Sequence, residues 1–265
     1  MKKQVKTALI WAFVGVALFV MYVPILILII YSFTGAKALG VWSGFSFELY
    51  ADLFTDSEIM GALGNSLILA AVSATLATFL GTTAAVGIYY MRKWKKSAAN
   101  FIANITMENA EIVTGVAFMI FFLAVNIHYG WAALIIAHTM IIVPYVILSV
   151  TPRLSQINPN LYEAGLDLGA SPVRSLFTVV VPQLLPGMIS GFIMAFTLSL
   201  DDFIVSKFIN GGVQTIPIYL YNALAKRGAD PTLRALSSAL FVVVLAVLIV
   251  LNVVSAKKKK SGVKV

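Results

Sequence analysis

Long apolar runs separated by short polar stretches occupy almost the whole chain. Several approach or exceed the roughly 18 residues that a helix needs to cross a hydrocarbon core, and none alternates as a barrel strand would. The pattern predicts six membrane-spanning helices. The first, about 8–33, follows Lys2, Lys3 and Lys6. It is too long for a signal-peptide core of about 7–15 residues, although Ala36-Lys37-Ala38 has the look of a cleavage site, so an uncleaved span is expected. The second, about 62–91, is rich in small residues (Gly64, Ser66, Ala70, Ala71, Ser73, Ala74, Gly81, Gly87), which permit close helix contact in lipid. The third covers about 105–125. A tight turn at 126–130 returns the chain into a fourth, which ends near Val150 and carries a kinking Pro144. The fifth and sixth fall at about 187–209 and 235–255.

One polar-flanked island, 158–182, has its own grammar. Asn158 and Pro159 form a helix start, and Leu161, Ala164 and Leu168 share a face. Gly169 is a left-handed stop, and Ser171-Pro172 opens a second helix expected to run to Pro182. Such an elbow between spans can present a knob to a soluble partner; the plainer alternative is an ordinary inter-span loop.

Composition sharpens this. The 265 residues are 60% hydrophobic and 11% charged, with mean hydropathy +0.94, whereas soluble domains carry about a quarter charged residues. The chain is therefore read as an all-α polytopic membrane protein. It has no cysteine, which excludes disulfides and thiolate chemistry. Its net charge of +8 is divided among loops, not gathered on one face, which argues against nucleic acid. Fourteen of the nineteen basic residues (Lys2, Lys3, Lys6, Arg92, Lys93, Lys95, Lys96, Arg153, Arg174, Lys257–Lys260, Lys264) fall on the amino-terminal side of the membrane. The loop 34–60 instead holds Glu48, Asp52, Asp56 and Glu58 against Lys37. The positive-inside rule then places both termini and the elbow in the cytoplasm.

Chemistry-bearing motifs are few. No GxxxxGK[ST] phosphate loop, HExxH helix or nucleophile elbow is present. Of the two histidines, His128 is expected in an interfacial loop and His138 as a hydrogen-bonded helix residue, neither a metal ligand. Ionisable groups inside spans are costly and so informative. Asp201 and Asp202 stand about fourteen residues beyond Gly187, about 21 Å into a core about 30 Å thick. Helix neighbours diverge by about 100°, so the two aspartates are not expected to face one cavity equally. One of them could instead cap a helix break or pair with Lys207. Glu108 and Glu111, three apart, are expected on one helix face, either beside a transport path or hydrated at the interface.

Glu163-Ala164-Gly165, three residues, Gly169, nine residues, then Val179-x-Val181-Pro182 resembles the EAA loop of ABC importer permeases, whose pattern is EAA, three residues, Gly, nine residues, Ile-x-Leu-Pro. Gly165 stands for the second alanine and valines for the other apolar residues. Ala195–Phe203 (AFTLSLDDF) resembles the spermidine/putrescine permease PotC family, and the resemblance runs from about Asn65 to Asn252. In that family a proline precedes the acidic residue opening the third span; Ala110 replaces it here, so Glu111 matches and Glu108 is extra.

The resemblance implies one permease domain over 1–265 with the MetI-like ABC permease fold: a core at about 60–255 and a cytoplasmic coupling loop at about 153–182. It implies that Glu163, Ala164, Gly165, Asp167, Gly169, Ala170, Ser171 and Pro182 serve ATPase coupling. It implies a substrate path for polyamine, which carboxylates and aromatic faces would hold; the expected residues are Asp201, Asp202, Glu111, Glu108, Phe196, Phe203, Tyr219 and Tyr221. It implies a second permease subunit in a heterodimer, two cytoplasmic ATPase subunits carrying ATP and Mg, and an extracytoplasmic substrate-binding protein. The chain itself would bind no cofactor and would not be an enzyme. The rivals are an ABC permease for an aminoalkylphosphonate, thiamine or iron, and a secondary transporter, which would need paired halves with broken helices. An obligatory ATPase distinguishes the last.

Overall fold

The computed structural model describes residues 2–36, 40–158, 160–227 and 231–261. Pro159, Lys37, Ala38 and Lys264, used above, lie outside them. The described chain is helical throughout, with a single isolated antiparallel bridge between Thr34 and Phe45. It divides into two compact units, Met1–Met60 with Leu220–Val265, and Gly61–Tyr219.

In the first unit, α1 (Lys2–Ser32) and α2 (Glu48–Thr55) both pack on α12 (Pro231–Ser261). Polar contacts lock the packing. Ser32 Oγ lies 2.8 Å from the Tyr50 hydroxyl and 3.3 Å from Ser238 Oγ, and the Arg234 guanidinium donates to the carbonyl of Ala36 at 2.9 Å. Phe33 meets Phe45, Phe47 and Tyr50 with ring centroids 5.2–5.7 Å apart.

The second unit is built on α6 (Trp131–Leu154) against α9 (Val181–Asp201), with α3 (Ser57–Tyr89) alongside. Apolar surface gains little by leaving lipid, so close approach and dispersion must hold such helices together. Gly81 shows how: a Cβ there would stand 2.6 Å from the Cβ of fully buried Val146. Small size is not needed everywhere in α3, for a Cβ at Gly64 would meet nothing. A second cluster joins Phe122 of α5 (Glu111–Ala124), Leu134 and Ala137 of α6, and Val205 and Ile209 of α10 (Ile204–Ile209). The turn expected at 126–130 is present: Asn126 has φ 56°, Gly130 has φ 130°, and the Gly130 N–H donates to Ile209 O.

Among the described residues four helices are long and apolar enough to cross a membrane (Leu9–Ser32, Ser57–Tyr89, Trp131–Leu154, Pro172–Asp201), or five if the bent pair Lys93–Glu108 and Glu111–Ala124 counts as one span. The expected sixth span falls on α12, whose apolar segment is Pro231–Ala246. Two spans differ from expectation. The third is not one rod: α4 (Lys93–Glu108) and α5 meet at 103°, because Asn109 and Ala110 are both extended. The break forms without the proline: Ala110 takes φ −62°, the value a proline ring would impose, and its carbonyl accepts the first helical bond of α5 from the N–H of Thr114. The fifth span likewise ends at Asp201, and α10 begins afresh at Ile204.

Because Gly81 is pressed on Val146 and Gly64 is not, Gly81→Ala should destabilise the purified protein by about 1–3 kcal/mol while Gly64→Ala stays within about 0.5 kcal/mol. Thermal unfolding of the two variants in one detergent compares them directly.

Candidate functional site: an acidic cavity and an elbow

The two breaks converge. A cavity of about 400 Å³ in the second unit is lined by Thr106, Met107 and Asn109 at the end of α4, Glu111 and Thr114 at the start of α5, His138, Ile141, Ile142 and Tyr145 of α6, and Leu198, Ser199, Asp201, Asp202, Phe203, Ile204 and Val205 across the α9–α10 break. Its lining holds three carboxylates (Glu111, Asp201, Asp202) and the aromatic rings of Tyr145 and Phe203, with no Lys or Arg.

Both aspartates line this one cavity, though not equally. Asp202 is extended (φ −65°, ψ 121°), so the 100° rule stops applying at Asp201. Their roles still differ. Asp201 is exposed, whereas the Asp202 side chain is only 16% exposed and accepts the backbone N–H of Ser206 at 2.8 Å. Asp202 therefore caps the restarted helix, and it also lies 3.4 Å from His138 Nε2. Glu108 and Glu111 do not share a helix face, because the chain turns between them; Glu111 lines the cavity and Glu108 does not.

Of the aromatic candidates, Phe203 lines the cavity. Phe196 stacks on Phe192 and packs against the α6–α9 core. Tyr219 is buried (4% exposed) in α11 (Ile216–Arg227), and Tyr221 belongs to the other unit, 51% exposed. Tyr145, Asn109, Thr106 and Thr114 were missed by the sequence reasoning. Only the break at Asn109–Ala110 brings the α4 and α5 residues to the aspartates, and neutral residues in an apolar run carry no signal of their own.

The elbow is built by local rules. Asn158 Oδ1 accepts the N–H of Asn160 at 3.1 Å and starts α7 (Asn160–Asp167). At the other end Gly169 has φ +83°, its N–H donates to Leu166 O, and the Ala170 N–H donates to Gly165 O. This is the paired C-terminal bond pattern that a left-handed residue closes. Ser171 caps α8 (Pro172–Ser175) by accepting the Arg174 N–H. The second helix does not stop at Pro182 as expected. A π-helical turn, Leu176–Val180, joins α8 to α9, and Pro182 sits in the first turn of α9, where no N–H bond is forfeited.

Glu163, Ala164 and Asp167 are exposed, as are Leu161 and Leu168, the latter 90%. Gly165 explains its own departure from alanine. The hydroxyl of Ser175, fully buried and donating to Tyr162 O at 3.0 Å, occupies the space where a Cβ would stand.

Residues 77–256 match the model of the family described as binding-protein-dependent transport system inner membrane component. The chain is 34% identical to the putrescine transport system permease protein PotI of Escherichia coli, over 82% of this chain and 80% of that one. It is 34% identical to the spermidine/putrescine transport system permease protein PotC of Haemophilus influenzae, over 93% and 96%. Among solved structures it resembles a bacterial ABC transporter involved in import of alginate (TM-score 0.66, 16% identity, 97% of this chain and 98% of that). It also resembles the inward-facing MetNI methionine ABC transporter (TM-score 0.60, 18% identity, 78% and 99%).

Two outcomes follow from the geometry. Asp202→Ala strips a cap from a part-buried helix start and should lower stability by about 1–3 kcal/mol, while Asp201→Ala should not, as read by thermal unfolding. Gly165→Ala should loosen the elbow, and adding Ser175→Ala should restore part of the loss, as read by proteolysis rates between α7 and α9.

Proposed function

The chain belongs to the family of binding-protein-dependent transport system inner membrane components, and from that premise we propose that it is the permease subunit of an ATP-driven ABC importer for polyamines. Family membership makes it a multi-pass inner-membrane transport component and not an enzyme. The observation that carries the substrate class is the cavity: three carboxylates and the rings of Tyr145 and Phe203, with no Lys or Arg among its lining. A polyamine is a flexible chain of ammonium groups, and such a lining offers each group a carboxylate or a ring face. The relatives named for putrescine and spermidine support the same reading.

Magnitudes suit a conduit. Charge-assisted contacts are worth about 1.5–3 kcal/mol each, and a cation–π contact about 0.5–2. Two of the former and one of the latter sum to about 4–8 kcal/mol before ordering costs, weak enough for release on a transport timescale. Asp201, Asp202, Glu111 and Phe203 are the proposed path residues. An anionic solute such as a phosphonate would meet repulsion there.

The partners in this proposal are a second permease subunit completing a heterodimeric pore, two cytoplasmic ATPase subunits holding ATP and Mg, and an extracytoplasmic binding protein. Both termini and the elbow lie in the cytoplasm, as the basic residues favour. The exposed elbow, with Glu163, Ala164, Gly165, Asp167, Gly169, Ala170, Ser171 and Pro182 forming or supporting it, docks on the ATPase. ATP-driven closure moves it as a rigid lever continuous with α9, whose far end carries Asp201.

In the reconstituted complex with binding protein, spermidine or putrescine should stimulate ATP hydrolysis and an aminoalkylphosphonate should not. Glu111→Gln with Asp201→Asn should lower polyamine uptake at least about tenfold, equivalent to about 1.4 kcal/mol, with assembly retained. An intact complex that no polyamine stimulates would sink the substrate assignment.

A further inference from the structure

His138 is the one histidine of the second unit's interior. It is buried, with Nδ1 2.7 Å from Ser199 Oγ and Nε2 2.8 Å from Ser206 Oγ. Those serines stand on opposite sides of the α9–α10 break, so one ring bridges both helix ends to α6. The same Nε2 is 3.4 Å from Asp202 Oδ2, the oxygen that accepts the Ser206 N–H. His138 also lines the acidic cavity. The ring therefore holds the carboxylate's mount and stands within reach of its charge.

Two protonation states do different things with these contacts. A neutral imidazole accepts at one nitrogen and donates at the other, which two serine hydroxyls satisfy, since each can give or take a hydrogen bond. Asp202 then keeps its full negative charge for the cavity. A protonated ring donates from both nitrogens and carries a positive charge beside Asp202, so one of the cavity's three negative charges is neutralised from within.

The titratable groups facing this site are Glu111 from α5, Asp201 from α9, Asp202 at the break and Tyr145 from α6 itself. Lys207 lies on the exposed side of α10, α4 contributes no titratable side chain to the lining, and α3 carries no charged residue between Gly61 and Tyr89.

We propose that His138 is a positioning residue that sets the charge the cavity presents: neutral, it orients Asp202 toward a cationic substrate, and protonated, it competes with that substrate for the same carboxylate. Proton binding at His138 and cation binding in the cavity are then antagonistic, each weakening the other by the same factor. The sign follows: acidification lowers transport of a cation through this site, and a residue that cannot be protonated removes that sensitivity. The transport consequence rests on the cationic-substrate reading; the His138–Asp202 coupling does not.

The test uses the complete transporter in proteoliposomes with saturating binding protein and spermidine, read as the ratio of uptake at about pH 5.5 to that at about pH 7.5. Comparing ratios between variants cancels the pH response of the other subunits. Wild type should lose several-fold more of its uptake on acidification than His138→Gln, which retains one donor and one acceptor. His138→Leu, which breaks both serine contacts, should be slow at both values. A His138→Gln ratio equal to that of wild type overturns the proposal, whether or not His138→Leu assembles.

If wild type carries neither spermidine nor putrescine, the substrate reading fails, and a second measurement decides this one. Nitrogen-15 signals of His138, recorded in a complex carrying His128→Gln, should move on Asp202→Asn. Signals unmoved by that change would overturn the coupling.

Discussion

A backbone N–H or C=O left unpaired in hydrocarbon costs several kcal/mol, so a helix in a membrane can break only where something else takes up its hydrogen bonds. The second unit's site depends on meeting that constraint between Asp201 and Ile204. The Asp202 carboxylate accepts the Ser206 N–H, one of the donors left free at the start of α10, and Ser199 and Ser206 meet His138. With those contacts in place the chain can leave the helix, and leaving the helix turns two adjacent aspartates toward one space. A second break, at Asn109–Ala110 where both residues are extended, brings Glu111 into the same cavity.

The elbow obeys a different economy. Its caps and stop are satisfied within a few residues: Asn158 for the start of α7, Gly169 for its end, Ser171 for the start of α8. Its apolar side chains Leu161, Leu168, Val173 and Phe177 remain exposed. A segment with locally capped helix ends and exposed apolar side chains keeps its shape while offering a surface. The buried Ser175–Tyr162 contact fastens α7 to the end of α8. The π turn between α8 and α9 adds one residue to the helical path without ending it, so the elbow and the acidic cavity sit at opposite ends of one near-continuous rod.

Much of this was legible in the chain. Spans could be read because lipid imposes one rule, about twenty apolar residues in succession, and that rule is local. The elbow could be read because capping chemistry is local too. The transport path was only partly legible. Asp201, Asp202 and Glu111 stood out as charges inside spans, and Phe203 beside them. Tyr145, Thr106 and Asn109 did not, and Glu108 was grouped with Glu111 because the helix rule was carried across a break that no proline marked. His138 was expected to be hydrogen-bonded, but its partners lie 61 and 68 residues away.

By itself, then, the sequence determined that the protein is helical and membrane-spanning, where the elbow's first helix starts and stops and its second begins, and which carboxylates lie inside apolar runs, because each depends on residues within a few turns of one another. Only the tertiary structure decided that the third and fifth spans break, that three carboxylates from two separate segments line one cavity, and that a histidine holds one of them. Those outcomes are set by side chains that meet from separate helices, as His138 meets Ser199 and Ser206, and no stretch of a single helix contains that information.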